Sequence, residues 1–96
     1  MRPIDAADIE AMYRAILSLR TVPEAKNFFR DLLTETEIRE FAERWKAARM
    51  LAAGVPYAEI IGKTGLSSTT VARVARWVKK GTGGYLLALK RTRTGR

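Results

Sequence analysis

The sequence predicts an all-α protein of five to six helices that includes a helix-turn-helix, and three observations support this fold class. Apolar residues recur at spacings of three and four along most of the 96 residues, and no stretch alternates as a strand would. Threonine-led capping boxes and single glycines mark helix starts and ends. The stretch 57–80, YAEIIGKTGLSSTTVARVARWVKK, places a glycine turn between two helical patterns.

Three helices are predicted before Gly54. The first spans about residues 6–19 and has one apolar face. Thr21 and Thr34 each stand three residues before a glutamate, and such capping boxes open the second and third helices. Because a helical chain of this length builds only a thin core, we expect these helices, within residues 1–54, to share a core with a second copy.

The helix-turn-helix is predicted over residues 56–80. Gly65 can adopt the left-handed conformation that ends its short first helix. Ser67 or Ser68 can then cap the second helix by accepting a hydrogen bond from an unpaired N–H in its first turn. Apolar residues of the two helices, among them Ile60, are expected to pack together and set the angle at which the helices cross.

The C-terminal segment, residues 81–96, is predicted to begin with a flexible glycine-rich break. One or two helical turns follow from Tyr85, and no structure is predicted for the basic tail that begins at Lys90. We interpret this segment, the helix-turn-helix and the dimerisation helices of residues 1–54 as one domain that spans residues 1–96.

The net charge of +8 lies entirely in the last third of the chain. Residues 1–66 contain ten Lys/Arg and ten Asp/Glu, whereas residues 67–96 contain eight Lys/Arg and no carboxylate side chain. This distribution indicates a polyanionic partner, held by Coulomb attraction and counterion release. A membrane surface also attracts basic helices, but the apolar face of this helix is narrow and its side chains are too small for burial in lipid.

The second helix of the motif has two chemically opposite faces at 100° per residue. Small apolar residues form one face: Val71, Val74, Ala75 and Val78. The opposite face carries hydroxyls and cations without a carboxylate, which favours a DNA-reading helix over the alternative of a solvated cationic face. The expected base contacts are Thr69, Thr70, Arg73 and Arg76, with phosphates or bases for Ser67 and Ser68 and phosphates for Lys79 and Lys80.

The residue types give little support to an enzyme. The chain has no cysteine and no histidine, so it lacks thiolate ligands and the commonest general base. Its carboxylate cluster, residues 35–43, is explained by the helix dipole and by ion pairs such as Glu40 with Arg44. We therefore expect no catalytic residue, no metal site and no cofactor. Neither a signal peptide nor a membrane span is visible, which indicates a cytoplasmic protein.

A known family shares three stretches with this chain: AILSLRTVPEAKNFFRDLLT, the helix around Trp45, and GLSSTTVARV followed by WVKKGTGGY. On these stretches the chain resembles the Trp repressor superfamily, and within it the YerC/YecD branch, over about residues 13–85. The resemblance implies an all-helical, intertwined homodimer in which the N-terminal helices of two chains form one core. It also implies that each subunit binds operator DNA through its helix-turn-helix.

In Trp repressors two arginines flank the indole of the bound tryptophan corepressor, and the resemblance places Arg44 and Arg73 at these positions. Val74 and Trp77 stand where the family has a glycine and a serine that leave room for the ligand. The resemblance thus implies a vestigial pocket of these four residues, in which the indole of Trp77 replaces the free amino acid. We expect that tryptophan is not the effector, and the identity of any other effector stays open.

The predicted function is repressor-like, sequence-specific regulation of transcription by a homodimer on double-stranded DNA. Two alternatives stay open: a protein-interaction module whose basic helix docks on an acidic partner, and a nonspecific nucleic-acid-binding protein. The charge cluster fits all three functions. The Ser-Ser-Thr-Thr helix start and the Gly-Leu-Ser turn before it favour readout of a DNA groove.

Overall fold

The computed structural model describes residues 2–93, which form six α-helices and, over that range, no strand. The helices are α1 (Ala6–Leu17), α2 (Val22–Leu32), α3 (Glu35–Ala52), α4 (Tyr57–Thr64), α5 (Ser68–Lys80) and α6 (Gly84–Thr92). The all-α prediction and its helix-turn-helix are confirmed. None of the described helices combines the length and the hydropathy of a membrane-spanning segment.

The chain divides into two compact units, and the first of them ends at Ile38.

The second and third helices begin at capping threonines. Thr21 caps α2 by accepting a hydrogen bond from the Glu24 N–H at 3.2 Å. Thr34 and Glu37 form a complete capping box at the start of α3, in which each side chain accepts the other residue's N–H, at 3.1 and 2.9 Å. Both predicted helix starts are thereby confirmed, because each threonine satisfies an N–H that the helix itself leaves unpaired.

The apolar faces of α1 and α2 are largely uncovered in the described chain. Neither helix contains a buried residue. Large apolar side chains are exposed on or beside the two helices, namely Met12, Tyr13, Leu17, Val22 and Leu32. An amphipathic helix gains most of its stability when its apolar face packs against another element. Within the described chain, these two helices therefore lack their main source of stability.

The second compact unit begins at Arg39, and its core joins α3, α4 and α5. Ala47 and Ala48 of α3 are fully buried together with Ile60 of α4 and Val71 of α5. Because alanine has no side chain beyond Cβ, a helix with two buried alanines can approach its neighbours closely. Partly buried residues complete this core: Trp45, Met50, Leu51, Val55, Ile61, Leu66, Val78 and Tyr85.

Two helix ends differ from the sequence-based expectation. The first helix stops two residues early, since the Ser18 hydroxyl donates to the Ala15 carbonyl at 2.6 Å and closes the last turn. The last helix has nine residues instead of one or two turns, and it begins after Gly83 at a φ of 94°. The basic tail predicted from Lys90 therefore starts inside α6, and its last part, residues 94–96, lies outside the described residues.

Candidate nucleic-acid interface

The turn between α4 and α5 is held by its own hydrogen bonds. Gly65 ends α4 with a φ of 77°, and its N–H donates to the Ile61 carbonyl at 3.0 Å. The buried Thr64 hydroxyl donates to the Ile60 carbonyl at 2.7 Å and accepts from the Leu66 N–H at 3.2 Å. Because these bonds leave little freedom in the turn, α5 has a fixed orientation relative to α4.

Gly65→Ala is expected to lower the free energy of unfolding by about 1–2 kcal/mol, because an L-residue with a side chain is strained in the left-handed region. Gly62→Ala is the matched control, since it lies within α4 and an added Cβ meets nothing within 4 Å. That control should raise stability by up to about 1 kcal/mol through helix propensity. Urea unfolding measures both changes, and shifts of the same sign would contradict the assigned role of Gly65.

Ser67, and not Ser68, is the N-cap of α5. Its Oγ accepts from the Thr70 N–H at 3.1 Å and donates to the Thr70 Oγ1 at 3.0 Å. Ser68 and Thr69 are exposed in the first turn, which contains no acidic residue. The start of α5 therefore presents free hydroxyls at the positive end of the helix dipole, a suitable place for a phosphate or another acceptor.

The two predicted faces of α5 are confirmed by burial. Val71, Val74 and Ala75 are buried, whereas all four cations of the helix are exposed: Arg73, Arg76, Lys79 and Lys80. The ion pairs found among residues 2–93 are Arg14–Glu10, Arg30–Glu35 and Lys63–Glu59, so none of them involves α5. The positive charge of α5 is thus not neutralised by a carboxylate of the described chain and remains available to a polyanion.

An open cleft of about 610 Å³ runs along the exposed side of α5. Its lining residues are Thr69, Ala72, Arg73, Arg76, Trp77 and Lys80. Four predicted DNA contacts therefore share one side of α5 with a residue that was predicted for the ligand pocket. The other predicted contacts, Ser67, Ser68, Thr70 and Lys79, belong to the same helix or its cap and lie outside this lining.

Of the four residues expected in a vestigial pocket, the structure brings Arg73 and Trp77 together in this cleft. Val74 is only 3% exposed and belongs to the core of the second unit. Arg44 is exposed on α3, and its guanidinium carbon lies 5.9 Å from the centre of the Phe41 ring. The expected ion pair of Arg44 with Glu40 is not formed in the described chain, since this cation lies over an aromatic face instead.

Two contacts near α5 join residues that the sequence did not predict as partners. The ring of Tyr85 on α6 is stacked on Trp45 of α3, with centroids 6.3 Å apart and planes inclined by 9°. Lys46 of α3 donates from Nζ to the Lys63 carbonyl at 3.0 Å, near the end of α4. Both contacts join different helices, so helical spacing does not predict them. For Tyr85 the only signal was an aromatic residue directly after a glycine-rich break.

Comparisons of sequence and of structure with known proteins point to the same family. The family described as Trp repressor protein matches residues 7–93. The chain is 38% identical over 86 residues to the uncharacterised protein YerC of Bacillus subtilis (strain 168), over 90% of this chain and 83% of YerC. A TrpR-like protein from Eubacterium eligens ATCC 27750 has 37% identity and a TM-score of 0.85, over 91% of this chain and 90% of that chain.

A second solved structure, that of a proposed Trp repressor from Staphylococcus aureus, has 34% identity and a TM-score of 0.84, over 91% of this chain and 87% of that chain. The family match begins at the second residue of α1 and ends just beyond α6, so it includes the complete helix-turn-helix. The resemblance to the YerC/YecD branch is confirmed by the identity to YerC. By both sequence and fold, this chain belongs to the Trp repressor family.

Proposed function

We propose that the protein is a sequence-specific DNA-binding regulator of transcription that acts as a homodimer and reads the major groove with α5. The observation that carries this proposal is the exposed cationic side of α5, which has no ion-pair partner among residues 2–93. An α-helix fits the width of the major groove, and DNA phosphates supply the missing negative charge. Membership of the Trp repressor family supports the same function.

The residues of α5 have different roles in this complex. Arg73 and Arg76 line the cleft, and a guanidinium can donate two hydrogen bonds to O6 and N7 of one guanine. Lys79 and Lys80, in the last turn, act as point charges on phosphates. The exposed hydroxyl of Thr69 can donate to a base edge or a phosphate, as can those of the two serines at the helix start.

The homodimer is supported by the exposed apolar faces of α1 and α2. A second copy covers these faces and supplies the apolar contacts that neither helix makes within the described chain. The resulting two-fold symmetry gives two copies of α5, which reach successive major grooves about one helical turn apart. The operator of such a dimer is expected to be a near-palindrome with matching spacing between its half-sites.

The regulator binds DNA without tryptophan in this proposal. Val74 stands where the family has a glycine, and its side chain is part of the core that α5 shares with α3 and α4. The orientation of α5 is therefore set by Val71 and Val74 together with the hydrogen-bonded turn before Ser67. A helix held by its own core needs no small molecule to fix its angle.

Selection of bound fragments from a random DNA pool tests sequence-specific binding and supplies the preferred site. On that site, Arg73→Ala or Arg76→Ala should each weaken binding by about 1–3 kcal/mol and relax the preference for one base pair. Lys80→Ala should weaken all sequences alike and reduce the dependence of affinity on salt. Lys26→Ala, an exposed residue of α2, is the control that removes one charge without touching α5.

Two results would replace this proposal by one of its alternatives. Equal, sequence-independent losses for the three α5 variants would indicate a nonspecific nucleic-acid-binding protein. A wild-type protein that enriches no DNA from the pool at low salt would favour a protein-interaction module, in which the same cations bind an acidic protein surface.

A further inference from the structure

We propose that Trp77 is a DNA-contacting residue of α5, and that its indole packs against a deoxyribose or a thymine methyl group at the edge of the groove. The inference rests on the proposed function of α5. It gives Trp77 a part in binding, in place of the expected role as a filler of a ligand pocket. The contact would add an apolar component to an interface that otherwise consists of charges and hydroxyls.

The position of Trp77 is the first observation. Its side chain is 52% exposed, although tryptophan is highly buried on average in folded proteins. It is the only large apolar residue in the cleft that it shares with Arg73, Arg76 and Lys80. A macromolecule that binds these three cations on the same side of α5 would therefore lie next to the indole ring. A DNA surface suits both features, because charged phosphates alternate with apolar sugar faces and methyl groups along the groove wall.

Gly81 gives the second observation, because it lies directly beneath the ring. A Cβ added at Gly81 would approach Cε3 of Trp77 to 2.8 Å and would also collide with the Trp77 carbonyl oxygen. The glycine thus lets the indole lie against the end of α5. A side chain that is already placed loses less conformational entropy on binding than a mobile one. The ring is therefore preorganised for a contact, while about half of its surface stays exposed to solvent.

A second copy of the chain is the competing occupant of this surface. A two-fold contact through the cleft would bring the same three cations of both copies together, and such repulsion opposes association. The phosphates of DNA, in contrast, neutralise these cations and attract them. The other cleft beside Trp77, about 390 Å³, is lined by Trp45, Thr82, Gly84, Tyr85 and Ala88 and carries no charge. Of the two clefts beside the ring, the one along α5 is thus the one that carries cations, and we take it as the candidate DNA surface.

Affinity measurements at several salt concentrations test the role of the ring. Trp77→Ala should weaken binding to the selected DNA about tenfold, because the apolar surface that the ring buries against the sugar or the methyl group is lost. The slope of affinity against salt should stay unchanged, because no phosphate contact is lost. Lys80→Ala is the matched control from the same cleft, and it should reduce that slope. Trp77→Phe should retain most of the affinity, and circular dichroism checks that each variant is folded.

Acrylamide quenching of tryptophan fluorescence tests the contact in the unaltered protein. DNA should protect part of the emission from this neutral quencher, and Trp77→Phe, in which Trp45 alone emits, should lose that protection. Unchanged affinity and unchanged quenching in a protein that binds DNA would overturn the role of Trp77 and leave the proposed function intact. A quenching change that follows protein concentration without DNA would assign the ring to a second copy. Failure of the wild type to bind any DNA would overturn both proposals.

Discussion

Tyr13→Asp is expected to raise the dissociation constant of the homodimer roughly a thousandfold. Tyr13 lies on the apolar face of α1 and is 58% exposed in the described chain. If the second copy covers this face, each protomer loses about 2 kcal/mol of apolar burial, and two-fold symmetry doubles the loss to about 4 kcal/mol. The aspartate also adds a charge that would have to be desolvated at the interface, so the true loss of dimerisation free energy should be larger than this estimate.

Ala11→Asp is the matched control for this variant. It makes the same change from a neutral residue to aspartate on the exposed, opposite side of α1. Sedimentation equilibrium at micromolar concentration should give twice the chain mass of 10.8 kDa for the wild type and the control. Tyr13→Asp should sediment with the mass of one chain and lose helical signal in circular dichroism, because α1 and α2 then have no cover. A wild-type monomer that stays folded on dilution would rule out the shared core.

Val74→Gly combined with Trp77→Ser is expected to lower the free energy of unfolding by about 4 kcal/mol. Most of the loss comes from Val74, since its removal leaves a cavity worth about 2–3 kcal/mol and places a glycine within a helix at about 1 kcal/mol more. Trp77→Ser alone is the control, and its cost should be smaller because about half of that side chain is already exposed. Denaturant unfolding of the two variants separates these contributions.

Titration of the wild type and of Trp77→Ser with L-tryptophan tests the expected absence of tryptophan sensing. Titration of the wild type with millimolar L-tryptophan should produce no saturable heat in a calorimeter, and DNA affinity should not change when the amino acid is added. Trp77→Ser should behave in the same way, because the buried Val74 still occupies the position that is glycine in the related repressors. Micromolar binding of tryptophan to the wild type, with a gain in DNA affinity, would show that the bulk of these side chains does not close the pocket.

Tyr13→Asp and Arg76→Ala together separate assembly of the dimer from readout of DNA. Tyr13 lies in the first compact unit, whereas Arg76 lies in the second. Loss of the dimer should weaken binding to a palindromic site strongly while a single half-site is affected less, because two linked α5 helices raise each other's effective concentration on the site. Arg76→Ala should weaken both targets by a similar factor per half-site.

Much of the fold could be predicted from the sequence because it depends on residues within four positions of one another. Thr21 and Thr34 cap their helices as predicted, and Gly65 ends α4 in the left-handed conformation. The division of α5 into a buried and a cationic face follows from 100° per residue and the absence of carboxylates after residue 66. Family membership could also be predicted, since the motifs that indicate it are continuous stretches of sequence.

Only the tertiary structure decided which side chains meet across helices. It stacks Tyr85 of α6 on Trp45 of α3 and joins Lys46 of α3 to the Lys63 carbonyl of α4. It also buries Val74 in a core with residues of α3 and α4 and so separates it from the exposed Trp77, although both had been expected in one pocket. Such contacts depend on how helices approach one another, which spacing along a single helix does not specify. The sequence by itself therefore determined the helices, their caps and the charge of α5, and the packing of those helices decided which side chains are buried and which aromatic rings meet.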